Sequence, residues 1–176
     1  MKNSLGLDFG LIIAFLLPGF LFLYGLSFSS QDVKAFLDAT NLRTTSIGAF
    51  FLVSLGSLAT GLLISAVRWL IVDSILGWMG IGNKPLDFGK LRYERRRRAF
   101  LVIVENHYRY YQYYANSLIS IVAFSIIYFC YGGVPGWTVA IGVLFVLLAL
   151  ALGAGDSCKK YHDRAAEVLG TTETTT

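Results

Sequence analysis

The sequence predicts an all-α, polytopic membrane protein with four transmembrane helices and a basic cytoplasmic helical segment between the second and third. Three observations predict this class. Hydrophobic residues make up 55% of the 176 residues, only 15% are charged, and the mean hydropathy is +0.60; soluble domains carry about 25% charged residues. Four apolar segments each approach the roughly 20 residues that a membrane-spanning helix needs. Basic residues are concentrated between the second and third of these segments.

The four predicted spans cover about residues 7–28, 46–72, 112–131 and 137–155. A cleaved signal peptide is the alternative interpretation of the first, but its apolar run exceeds the usual 7–15 residues and no A-x-A pattern follows it. Pro18 lies in the middle of this span and predicts a kink, because proline removes a backbone hydrogen bond. We expect one helical membrane domain over residues 1–170 and a disordered tail at 171–176.

The connecting segments predict shorter elements. After the first span, a polar stretch predicts a short helix on the membrane surface, with Ser30 or Asp32 as its N-cap. Residues 75–82 are too short to span and too rich in glycine for a stable helix, so we expect an interfacial or re-entrant piece. The tail predicts a final cytoplasmic helix over residues 156–170, which Asp156 can cap.

Small residues recur every four positions along the second span. Lipid provides no hydrophobic force between helices, so close backbone approach through small residues drives their packing. The partner is either another helix of this chain or a second subunit, and we expect a homo-oligomer. The predicted packing face consists of Gly56, Ser57, Thr60, Gly61 and Ser65. A second face on the fourth span consists of Ala149, Ala151, Gly153 and Gly155.

The distribution of basic residues predicts the orientation of the chain. With four spans, thirteen of the fifteen lysines and arginines lie on the side that holds both termini and the segment between the second and third spans. The positive-inside rule places that side in the cytoplasm. We therefore expect an integral protein of the bacterial inner (plasma) membrane with cytoplasmic N- and C-termini.

The cytoplasmic segment 73–111 and the start of the third span carry the candidate binding residues. Each basic residue beside anionic lipid gains about 1 kcal/mol, although a role in orientation needs no ligand. A cytosolic protein partner is a further interpretation, whereas nucleic acid is disfavoured because the tyrosines lie where an interfacial aromatic belt belongs. The binding candidates are Arg92, Arg95, Arg96, Arg97, Arg98 and Arg109. The belt consists of Tyr108, Tyr110, Tyr111, Tyr113 and Tyr114.

Few residues suggest catalysis or metal binding. Glu105 and His107 form the one pair that resembles a general acid–base site, but no nucleophile is paired with it and a polar patch is the simpler interpretation. Cys158 and His162 lie four residues apart and share a helix face; without a CxxC or HxxxH pattern they are a weak indication of zinc. We expect no cofactor. Ionisable residues are absent near the middle of the predicted spans, which disfavours proton-coupled transport and voltage sensing.

These patterns favour a non-enzymatic function. We expect a small membrane protein that self-associates through its small-residue faces and presents a basic, tyrosine-rich platform to anionic lipid or a cytosolic partner. A related hypothesis is an oligomeric pore or membrane-perturbing effector lined by Ser, Thr and Asn116. The alternative is a membrane-embedded enzyme that acts on lipid headgroups through Glu105, His107 and the arginines.

Overall fold

A computed structural model describes residues 4–38, 47–81 and 86–170, and within them the chain is all-α, as predicted. Three helices are long and apolar enough to cross a membrane, and a fourth contains a shorter apolar helix, Ile12–Leu26. The predicted disordered tail lies outside the described residues. The helices are α1 (Ser4–Leu26), α2 (Gln31–Asp38), α3 (Ile47–Trp78), α4 (Glu94–Gly132) and α5 (Trp137–Leu169), with a 3-10 turn at Phe88–Arg92.

Helix α1 packs closely against α3 through glycines. A Cβ atom added to Gly19 would lie 1.8 Å from the carbonyl oxygen of Ser57. A Cβ atom added to Gly61 would lie 2.0 Å from the carbonyl oxygen of Phe15. Only glycine permits this approach at both positions, so the small-residue face predicted on the second span is used inside the chain, against α1.

The proline in α1 is compensated by a residue of α4. Pro18 has no N–H group, so the carbonyl oxygen of Ala14 loses its partner within the helix. The side-chain Nδ2 of Asn116 donates a hydrogen bond to that oxygen at 3.1 Å, and Asn116 is fully buried. Neighbouring helices commonly supply such a bond where proline interrupts a membrane helix. Asn116 therefore faces α1 in this chain.

Helix α3 extends beyond the second predicted span. It passes through a π-helical turn at Trp69–Asp73 and continues in α-helical form to Trp78. The expectation that glycine content prevents a stable helix at 75–82 is therefore wrong for residues 75–78. Leu76 is buried in the main hydrophobic cluster, and this burial offsets the low helix propensity of the glycines. The chain turns at Gly80, whose φ of +76° favours glycine.

At two positions the sequence predicts a boundary between an apolar and a polar helix, and at both the structure has one continuous helix. The tail helix does not begin at Asp156, because α5 is one helix of 33 residues. The carboxylate of Asp156 pairs with Lys160 at 2.7 Å within that helix. The basic segment and the third span likewise share α4, which contains a second π-helical turn at Val104–Tyr108. In both helices the apolar and polar parts are joined without a loop.

The short helix α2 folds back onto α3. The backbone N–H of Val33 donates to the hydroxyl of Ser30 at 3.4 Å, which matches one of the two predicted caps. A Cβ atom added to Gly56 would lie 2.9 Å from Cζ of Phe36. Gly56 therefore accommodates an aromatic ring of the same chain.

The polar ends of α4 and α5 pack together beside the 3-10 turn. Leu169 and Ala165 are fully buried there, and the backbone N–H of Asp87 donates to the carbonyl oxygen of Gly170 at 3.2 Å. Successive rings lie 5.0 to 6.3 Å apart between centroids. This row of rings consists of Phe88, Phe100, Tyr161 and Tyr108. The candidate sites lie in this polar end of the molecule.

Candidate functional site

A basic groove lies between the 3-10 turn and the first turns of α4. It is open and has a volume of about 730 Å³. It contains four cationic side chains and one carboxylate, that of Asp87, which is already paired with Lys90 at 3.4 Å. The lining residues are Asp87, Gly89, Lys90, Arg92, Tyr93, Arg95 and Arg96.

The arginine run supplies most of this charge. Arg95, Arg96 and Arg97 are exposed, and none of them pairs with a carboxylate in the part of the chain that the structure describes. Arg98 differs, because its guanidinium pairs with Glu94 one turn earlier on the same helix. Arg95 and Arg96 therefore give the groove an uncompensated positive charge.

The two remaining candidate arginines have different surroundings. The guanidinium of Arg92 donates to the Tyr93 hydroxyl at 2.9 Å and lies 5.0 Å from the centroid of its ring. It thus lines the groove in a fixed position. Arg109 is only 9% exposed and lies 3.8 Å from the Glu105 carboxylate. It is not part of the basic groove.

The predicted acid–base pair is not assembled with the arginines. Glu105 faces Arg109, and neither Glu105 nor His107 lines the basic groove. Burial lowers the pKa of His107, which lies outside the predicted spans, and the positive charges of Arg164 and Lys160 lower it further. These cations favour the neutral imidazole.

A second concave site, the interhelical cavity, lies where α3, α4 and α5 meet. Its volume is about 230 Å³. Asp73 ends the first π-helical turn and Tyr108 ends the second, so both turns border the cavity. Single π turns within α-helices occur frequently at functional sites. The lining residues are Asp73, Leu76, Gly77, Ile81, Tyr108, Tyr111, Cys158, Tyr161 and His162.

A charge pair between buried Arg68 and partly exposed Asp73 supports one wall of the interhelical cavity. Arg68 is 4% exposed, and its Nη1 lies 3.5 Å from Oδ1 of Asp73. The Tyr111 hydroxyl donates to the same Oδ1. The guanidinium of Arg68 also lies 5.0 Å from the centroid of the Tyr111 ring. Asp73 is thus held by a cation and a phenol at its Oδ1.

This charge pair was missed from the sequence, where Arg68 and Asp73 mark only the end of the second span. Residues five apart lie about 140° apart around a regular α-helix and do not face each other. The π turn at Trp69–Asp73 changes that geometry, since its hydrogen bonds join residues five apart. No α-helical or β-strand periodicity signals such a turn, and no local pattern points to Tyr111.

Cys158 and His162 do lie side by side, as predicted. The Cys158 Sγ is 3.7 Å from Nδ1 of His162, and that Nδ1 is 3.0 Å from the Cys158 carbonyl oxygen. Burial, and secondarily the charge of Asp73, raises the pKa of the Cys158 thiol to about 11, so the thiol is protonated at neutral pH. Among the described residues no three His, Cys, Asp or Glu side chains are grouped to hold a metal ion. The pair alone does not make a zinc site.

The five tyrosines predicted as a belt are divided between two environments. Tyr108 and Tyr111 line the interhelical cavity. Tyr110 is 55% exposed, whereas Tyr113 and Tyr114 are half-buried. A Cβ atom added to Gly153 would lie 3.1 Å from the Tyr114 ring. The second small-residue face thus receives a tyrosine of α4 at this position.

The remaining residues of the first packing face, Thr60 and Ser65, are half-buried on α3.

No protein-family model, curated protein or solved structure matches the chain. Its function is therefore argued from the basic groove and the interhelical cavity.

Proposed function

We propose that the chain is a non-enzymatic integral membrane protein that binds anionic lipid headgroups in its basic groove. In this proposal α1, α3, α4 and α5 each cross the inner membrane once, and both termini and the groove are cytoplasmic. The observation that carries the proposal is the groove itself, which has four cationic side chains against one carboxylate. The groove lies on the basic part of α4, whose apolar part follows without a loop.

The exposure of apolar side chains supports contact with lipid. On α5, Leu144 is 67% exposed and Phe145 is 71% exposed. Soluble monomers rarely expose large contiguous apolar patches, whereas a membrane helix buries such residues in hydrocarbon. The thirteen-to-two distribution of basic residues supports the cytoplasmic placement of the groove.

The chemistry of the groove suits phosphate. Arginine presents a planar fork of donors that binds two phosphate oxygens at once, and lysine adds a point charge. The groove is open, which suits a headgroup at a bilayer surface, and its lining contains no serine, threonine, cysteine or histidine. Each basic residue near anionic lipid contributes about 1 kcal/mol. An acidic cytosolic partner would compete with lipid for the same arginines.

Self-association remains a prediction, because residues predicted to carry it make contacts within the chain. Of the residues predicted to carry it, Ser57 and Gly61 pack against α1, and Gly56 packs against α2. A second copy would need to displace these contacts or use another face.

The test is native mass spectrometry of the detergent-solubilised protein with phosphatidylglycerol, using phosphatidylcholine as the zwitterionic reference. The variant Arg95→Gln/Arg96→Gln removes two groove charges, and we expect roughly 30-fold weaker phosphatidylglycerol binding from a loss of about 2 kcal/mol. The control Arg97→Gln/Arg98→Gln removes the same charge outside the groove lining and should retain most of the affinity. Equal losses in both variants would show that total charge, rather than the groove, attracts the lipid.

A further inference from the structure

The interhelical cavity has chemistry that the basic groove lacks. It combines one carboxylate with three phenol rings, an imidazole and apolar side chains. Its volume of about 230 Å³ is below the roughly 300–1,000 Å³ of pockets for drug-sized ligands. Any ligand it holds is therefore small.

The rings of the cavity form a curved aromatic wall. Tyr111 and Tyr108 lie 6.1 Å apart between centroids with their planes inclined by 47°. Tyr108 and Tyr161 lie 5.0 Å apart and are inclined by 45°. The faces of such rings carry partial negative charge and attract cations within about 6 Å, best known for quaternary ammonium groups.

The Asp73 carboxylate lies in the cavity lining and is paired with Arg68. The Asp73 side chain is 30% exposed, and Arg68 and Tyr111 both contact its Oδ1. Arg68 does not itself line the cavity. At the Cys158 thiol, the charge of Asp73 has a larger effect on the pKa than the opposing charge of Arg68. Asp73 is the one carboxylate of the cavity lining, and a bound cation would pair with it.

We propose that the interhelical cavity binds a small organic ammonium group, held between the Asp73 carboxylate and the rings of Tyr108 and Tyr161. Two sources share this chemistry: a free amine such as ethanolamine, and the ethanolamine headgroup of a phospholipid. The proposal is independent of lipid binding in the basic groove, because it uses none of the groove residues.

The experiment uses the full chain in nanodiscs of phosphatidylglycerol, titrated with tetramethylammonium or ethanolammonium chloride. Saturation-transfer NMR reports binding, and sodium chloride at equal ionic strength is the reference. We expect saturable binding that Asp73→Asn and Tyr161→Leu each weaken about tenfold or more. Tyr161→Phe keeps the ring and should stay within about twofold of the wild type. Tyr110→Leu removes an exposed tyrosine outside the cavity and should leave binding unchanged.

The Tyr161 variants keep the test decisive even if Asp73→Asn, which breaks the ion pair with Arg68, fails to fold. No saturable binding by the wild type, or equal affinity of Tyr161→Leu and Tyr161→Phe, would overturn the proposal.

Replacing half of the lipid with phosphatidylethanolamine identifies the source of the ammonium group. Weaker apparent probe binding assigns the lipid headgroup, and unchanged binding assigns a free amine. Arg95→Gln/Arg96→Gln should leave probe binding intact, so the two proposals fail separately.

Discussion

The two halves of α5 show opposite relations between polarity and burial. The first half, residues 137–152, is strongly apolar, yet its large side chains are exposed. The second half is polar and contains every buried residue of the helix. The buried residues are Ala154, Ser157, Cys158, Ala165 and Leu169. In a protein surrounded by water alone this order would be reversed. The difference indicates that the two halves face different solvents.

The contrast also shows that different interactions position the helices in the apolar and in the polar part of the molecule. In hydrocarbon an apolar helix gains nothing from burying leucine against leucine, so its position depends on close backbone contacts and a few hydrogen bonds. In water the same side chains drive packing by about 25 cal/mol per Å² buried. Both candidate sites, the basic groove and the interhelical cavity, lie at the polar end.

The strongest test of this contrast places a charge on each half of α5. Leu144→Arg should raise the apparent free energy of membrane insertion by about 3 kcal/mol, because a charge near the middle of a membrane helix is poorly solvated. Glu167→Arg changes an exposed residue of the polar half and should shift stability by less than about 0.5 kcal/mol. A glycosylation-based insertion assay measures the first variant and its control. If Leu144→Arg inserts as well as Glu167→Arg, the apolar half does not lie in lipid.

A second test compares glycines in the two kinds of environment. Gly61→Leu should destabilise the protein by about 1–3 kcal/mol, because the new side chain must enter the space of the Phe15 backbone. Gly142→Leu on α5 meets nothing within 4 Å and should be neutral or slightly stabilising. Unfolding by SDS in mixed micelles reports both. A changed subunit number with an intact fold in Gly61→Leu would instead return this face to self-association.

The smallest expected effect concerns the hydrogen bond between α1 and α4. Asn116→Leu should cost about 1 kcal/mol, since interhelical hydrogen bonds in membrane proteins are worth roughly 0.6–1.7 kcal/mol. The matched change Asn106→Leu affects an exposed asparagine of the same helix and should have almost no effect. The same SDS titration measures both variants. Equal stabilities would mean that the Ala14 carbonyl finds another donor.

The sequence predicted the features that depend on local composition. The apolar segments, the cap at Ser30 and the small residues around Gly61 all have direct periodic or positional signals. No sequence signal identifies the helix that packs against Gly61, because a face of small residues can pack against any helix. The prediction of self-association came from that ambiguity, and the structure shows that Gly61 contacts the Phe15 backbone of α1.

The candidate sites were only partly predictable. The arginines of the basic groove stand out as a run, and their exposure follows from their charge. The interhelical cavity depends on two π turns and on three helices meeting, so residues such as Arg68, Asp73 and Tyr161 acquire their roles only in three dimensions. Glycine content suggested an end to α3 that the burial of Leu76 overrides.

The bond from Asn116 to the Ala14 carbonyl also constrains how the protein is made. The two residues are 102 positions apart, and a ribosome adds roughly 5–20 residues per second. For about 5–20 seconds after α1 emerges, the carbonyl freed by Pro18 has no partner from α4. During that time water must satisfy it, because an unpaired carbonyl away from water costs several kcal/mol. The first helix of the chain thus reaches its final environment only after the residue that completes it has been synthesised.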